Sequence, residues 1–135
     1  MPIDLSQLPE GLDANLSEAL VRCAQRADAI DLAYLGNRVQ AHLQRARFAA
    51  QGSSLVNLAQ AEALATTYDR LLGQWATLPA VSQPWLKGAM LYFVETDDDD
   101  PDFESPAGLE DDVVVLNACL HLAGLAAWCV DPQQR

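Results

Sequence analysis

The residues of this chain best suited to chemistry are carboxylates. Asp98, Asp102, Asp111 and Asp112 stand at the two ends of a turn-rich connection that contains Pro101, Pro106 and Gly108. Mg²⁺ and Ca²⁺ take clustered oxygen ligands, so this quartet is the candidate metal set. Asp97, Asp99, Asp100 and Glu104 lie among them with no Lys or Arg nearby, and are the candidate contacts for a basic partner. Two like charges 4 Å apart cost roughly 4 kcal/mol at an effective dielectric near 20. Converging carboxylates therefore need solvent, protonation, a cation, helix N-terminal amides or a partner's Arg. The competing role is local: Asp at a loop start makes an Asx-turn, and Asp at a helix start caps it. Asp98-x-Asp100-x-Asp102 matches half of an EF-hand loop, but Phe103 stands where its Gly belongs and Leu109 where its Glu belongs.

Other chemistry finds little support. His42 and His121 share no ligand spacing. Asn117 and His121 form an i, i+4 polar pair on an apolar stretch, which suggests a buried hydrogen-bonded pair. There is no Gly-rich phosphate loop, GxSxG or HExxH motif, and no nucleophile–base pair can be named from spacing. An enzyme is therefore the minority reading, left open by a structural or hydrolytic role for the carboxylates of the 98–112 segment. Trp75, Trp85 and Trp128 read as core.

Charge segregation narrows the partners. Residues 1–87 carry seven basic and eight acidic side chains, whereas 88–134 carry eleven acidic ones and no Lys or Arg. Nearly all of the net charge of −11 thus sits on the last third. Such a field repels phosphate backbones, which argues against direct nucleic-acid binding and for a basic protein surface. Self-association as a homodimer is compatible with this composition. The first twenty residues have no basic start and no apolar run of signal-peptide type. Cys23, Cys119 and Cys129 make an odd set without CxxC spacing. Both features point to a cytoplasmic protein.

The elements that must position these residues read as helices. At 135 residues, half of them apolar and rich in Ala and Leu, the chain suits one helical domain, 1–135. Residues 1–10, with Pro2 and Pro9, read as an extended arm. Leu12, Leu16, Leu20, Cys23 and Ala27 fall on one helical face. Asp28 offers the N-cap of a second helix, with Leu32, Leu35, Val39 and Leu43 on its inner face and an end near Phe48. Arg38, Arg45 and Arg47 make it the basic part of the protein. Gly52-Ser53-Ser54 marks a stop and a restart. A seam of Ala61, Leu64, Tyr68, Leu71, Trp75 and Leu78 follows, up to Pro79. Ser82 and Pro84 open a helix that is apolar on nearly all sides from Trp85 to Val94. Residues 95–110 form an acidic loop. The last helix begins near Glu110 and is expected to run to about Val130. Its charge-free stretch, Val113 to Val130, lies at the lower limit for a membrane span. Asn117, His121 and the lack of an aromatic and basic belt argue instead for a bundle helix, and make a membrane-peripheral role a minor alternative. The expected fold is all-α: an irregular four- or five-helix bundle, with the acidic loop joining the last two helices.

From Leu91 the chain reads LYFVETDDDDPDFESPAGLEDDVVVL. Over about residues 85–125 this resembles the YkvA-like family, a domain of unknown function. In that pattern an apolar helix ends Tyr-Phe, a Pro- and Asp-containing loop follows, and a Gly precedes an Asp-Asp pair that opens an apolar helix. Tyr92, Phe93, Asp98, Pro101, Asp102, Phe103, Gly108, Asp111 and Asp112 fall on it. Thr96 replaces the usual Pro, and Asp99 and Asp100 replace two apolar residues. The resemblance implies a helical fold with a structured loop, and no catalytic residue.

Overall fold

Periodic apolar residues and Asp or Asn caps divide the chain into helices. The computed structural model describes residues 5–53, 57–95 and 109–131. They form five α-helices: α1 (Ala14–Ala27), α2 (Leu32–Gly52), α3 (Leu58–Gly73), α4 (Gln83–Val94) and α5 (Glu110–Leu122). No strand occurs among the described residues. The all-α bundle expected from the periodicity is the observed class. Within the arm, Leu5–Gln7 is a short 3-10 turn rather than extended chain, and Pro9 is buried. The acidic loop from 96 to 108 lies outside the described residues.

Side-chain caps set three of the helix starts. Asp13 accepts from the Leu16 amide at 2.8 Å, opening α1. Asp31 accepts from the Ala33 amide at 2.9 Å, opening α2. Asn57 accepts from the Gln60 amide at 3.2 Å, opening α3. Asp28 is therefore not the cap of α2; it closes α1, its amide donating to the Ala24 carbonyl at 3.2 Å. Nor does α2 stop near Phe48. The Ala-rich turn after it continues the helix through Gly52, so that glycine lies inside the last turn. The α3 helix ends at Gly73, and Trp75–Thr77 is a separate 3-10 turn. Ser82 begins α4 without a side-chain cap; its hydroxyl donates instead to the Pro79 carbonyl at 2.7 Å.

The core is built around α4, which packs against α1, α2 and α5. Trp85, Leu86, Ala89, Met90, Leu91, Phe93 and Val94 are all buried, as a helix apolar all round requires. Its closest approach is to α1. A Cβ built on Gly88 would lie 2.8 Å from both the Cα and the Cβ of Ala24, so small residues let the two backbones meet. The Lys87 ammonium reaches the Ile30 carbonyl at 2.8 Å and fixes the α1–α2 corner. Trp85 is buried as expected, while Trp75 and Trp128 are half-buried.

The last helix is shorter than its apolar run. It ends at Leu122, followed by Gly124 at φ +76°. The Gly124 amide donates to the His121 carbonyl at 3.1 Å and the Leu125 amide to Leu120 at 2.8 Å. This is a Schellman C-cap, with glycine in the left-handed position. The chain then turns back through the 3-10 turn Ala126–Trp128. No helix among the described residues is long and apolar enough to cross a membrane.

Candidate functional site

The two ends of the acidic segment are fixed on the helical body. At the end of α4, Glu95 accepts a 2.6 Å charge-assisted hydrogen bond from the Arg26 guanidinium of α1. That bond and the Glu95 charge raise the Arg26 pKa further. At the other end Leu109 is fully buried, and Asp112 is only 4% exposed. Burial, then the charge of Glu95, push the Cys23 thiol of α1 up to about 11, with Arg26 and Arg22 acting against the shift and Asp112 adding to it. Glu95 and Asp112 thus both lie within electrostatic reach of Cys23, so α1 gathers the two ends of the segment.

Helical phase separates the Asp pair that opens α5. Asp112 shares a face with Leu109, Leu116 and Cys119, all buried. Asp111 lies on the exposed side, about 100° around the helix. Glu110 is exposed as well. All three carboxylates occupy the first turn, where the helix dipole favours negative charge. Of the candidate metal quartet, Asp111 and Asp112 therefore point different ways. Asp98 and Asp102 lie outside the described residues, as do the partner-contact candidates Asp97, Asp99, Asp100 and Glu104. Among the described residues no three His, Cys, Asp or Glu side chains cluster as a metal site.

Behind Asp112 lies a set of buried aromatic and polar side chains drawn from different helices. Phe93 of α4 meets the His42 ring of α2 edge-on, with centroids 4.7 Å apart and planes at 77°. The Tyr68 ring of α3 also packs against Phe93, tilted by 31° with centroids 5.7 Å apart. His42 and Tyr68 are buried. Burial pushes the Tyr68 phenol well above its ordinary value, and the charges of Asp112 and Cys119 add to this. The Tyr68 hydroxyl has no hydrogen-bond partner among the described residues. His42 and Tyr68 carry no local sequence motif. Their meeting is a consequence of tertiary packing, visible in the sequence only as polar atoms on apolar helix faces.

The three cysteines are not set up as activated nucleophiles. Burial raises the pKa of all three thiols, and an activated cysteine needs the opposite. The expected Asn117–His121 pair is not formed. His121 is exposed at the end of α5, and Asn117 turns to Val130, accepting from its amide at 2.8 Å and donating to its carbonyl at 2.9 Å. This folds the chain after α5 back over α3. A groove of about 500 Å³ opens there, lined by Glu62, Thr66, Thr67, Trp128, Cys129 and Asp131 among others. Arg70 covers the Trp128 ring, 4.0 Å from its centroid.

Compared with protein-family models, with curated proteins and with solved structures, the chain matches none.

Proposed function

We propose that this domain is a non-catalytic interaction module that presents its acidic segment to a basic protein surface. One observation carries the reading: ten of the chain's nineteen acidic residues lie between Glu95 and Asp112, on a segment that Arg26 holds at one end and the core at the other. A rigid base beneath a dense charge lowers the ordering cost of docking a cationic partner and speeds encounter. The three free cysteines fit a reducing, cytoplasmic setting. The resemblance of residues 85–125 to the YkvA-like family belongs to the same proposal. The resemblance calls for Tyr92-Phe93 near the end of one helix and Asp111-Asp112 near the start of the next, and these pairs lie in the last turn of α4 (Gln83–Val94) and the first turn of α5 (Glu110–Leu122).

The test is binding of a lysine- and arginine-rich helical peptide to the full chain by calorimetry. Binding is expected to weaken steeply with added salt. It should be lost when Asp97, Asp99, Asp100 and Glu104 are changed to Asn or Gln. Equal binding at low and high salt, or by that variant, overturns the proposal. The inward turn of Asp112 motivates a second reading, in which it donates one oxygen to a divalent cation completed by Asp98 and Asp102. The divergence of Asp111 weighs against the full quartet.

A further inference from the structure

Among the described residues three large hydrophobic side chains are exposed, and two of them, Tyr34 (52%) and Phe48 (78%), belong to α2. Counting 100° per residue, Tyr34, Arg38, Ala41, Arg45 and Phe48 fall within an arc of about 80°. They form a stripe about 21 Å long at 1.5 Å per residue. The inward face of α2, with Leu35, Val39, His42, Leu43 and Ala46, lies around the other side of the helix. Within the stripe the Arg38 guanidinium lies 5.7 Å from the Tyr34 ring centroid and donates to its hydroxyl at 3.1 Å. The two side chains thereby meet on the surface. An aromatic–Arg–Ala–Arg–aromatic stripe is a cationic, partly apolar face on a chain whose net charge is −11.

We infer that this outer face of α2 is a docking surface for the acidic end of a second copy of the chain, where Glu110 and Asp111 lie exposed. The inference rests on the proposed function and names one basic partner surface for it. Charge complementarity selects the occupant: the chain carries both a dense acidic segment and the basic stripe that matches it. Two identical molecules so joined use different surfaces, which makes the contact heterologous. Association by this route grows beyond a dimer, unless a ring closes.

The experiment is sedimentation equilibrium of the full chain from micromolar to millimolar concentration. Wild type is expected to gain mass with concentration. R38E/R45E is expected to stay monomeric, and F48A to associate about tenfold more weakly. A variant with D97N, D99N, E110Q and D111N is also expected to stay monomeric. Mixed with R38E/R45E it should form a one-to-one complex and nothing larger, since each then supplies one intact surface. Helical circular dichroism checks folding, and R38Q/R45Q replaces the charge reversal if that chain is misfolded. A wild type that is monomeric throughout, or association retained by R38E/R45E and R38Q/R45Q, overturns the inference. The cationic-peptide measurement is separate: a monomeric chain that still binds the peptide sinks the self-docking alone.

Discussion

The Asn117 carboxamide pairs with the main chain of Val130 as one peptide group pairs with another. It accepts from the amide at 2.8 Å and donates to the carbonyl at 2.9 Å. The Cys129 thiol adds a weak contact to the Asn117 carbonyl at 3.9 Å. Side-chain hydrogen bonds of this kind contribute about 0.5–1.5 kcal/mol each, and a buried group left unsatisfied costs about 1–3 kcal/mol. Asn117→Ala is expected to destabilise the fold by about 1–3 kcal/mol, measured by urea unfolding. Protection of the Val130 amide in hydrogen exchange should fall at the same time. Unchanged exchange at Val130 would show that the segment is held by Trp128 and its neighbours instead.

The contact of Gly88 with Ala24 makes a contrasting pair of predictions. At Gly88 a methyl group meets backbone atoms 2.8 Å away, which cannot yield without moving α1 against α4. Overpacking of this kind costs about 1–3 kcal/mol, against a gain of up to about 1 kcal/mol in helix propensity. Gly88→Ala is expected to be net destabilising. At Gly36 the obstructing atom is Leu72 Cδ1, 2.9 Å away at the end of a flexible side chain. There the propensity gain decides, and Gly36→Ala is expected to be neutral or stabilising by up to about 0.5 kcal/mol. Thermal melts of the two variants check the opposite signs.

Local pattern specified the helices better than their ends. The inward faces of α1 and α2, and the all-round burial of α4, follow from spacing alone. Asp28 and Asp31 are both plausible caps three residues apart, and the accepting geometry at Asp31 decides between them. Gly124 was visible in the sequence, yet an apolar run on both sides of it masked its role as a C-cap. Helical phase also held the divergence of Asp111 and Asp112: counting back from Leu116 and Cys119 places Asp112 inside. The meeting of His42, Phe93 and Tyr68 was not legible, because it joins three helices that only packing brings together. The Arg26–Glu95 pair, separated by 69 residues, is of the same kind.

Burial of titratable groups makes the fold sensitive to alkali. Cys23 is held at about 11 against an ordinary 9.0, and burial raises Cys119 and Tyr68 in the same direction. Each prefers its neutral form when folded. The unfolded chain loses these protons first, so stability is full below pH about 9 and falls as pH rises toward the folded values. For Cys23 alone a shift of this size is worth about 2–3 kcal/mol by pH 11. Urea midpoints from pH 7 to 11 are expected to fall above pH about 9, and to fall less in Cys23→Ala. A flat profile for wild type would show that water reaches these groups freely.

Asp111 and Asp112 are chemically alike and adjacent, so comparing them isolates what the inward turn does. Asp112→Ala removes a buried carboxylate and with it the partners that satisfy it, an expected loss of about 1–3 kcal/mol. Asp111→Ala changes an exposed position and is expected to stay within about 0.5 kcal/mol, its contribution being limited to the helix dipole. Both changes are read from urea unfolding without added metal. Melts with millimolar Mg²⁺ or Ca²⁺ then address the candidate quartet of Asp98, Asp102, Asp111 and Asp112. An ion present at ten times its Kd would add about 1.4 kcal/mol. Because Asp111 and Asp112 face different ways, no shift that depends on Asp111 is expected; a shift kept in Asp111→Ala and lost in Asp112→Ala would support the second reading instead. A divalent-dependent rise that Asp111→Asn abolishes would mean that the first turn of α5 rearranges around an ion. The acidic segment would then be a cation site before it is a docking surface.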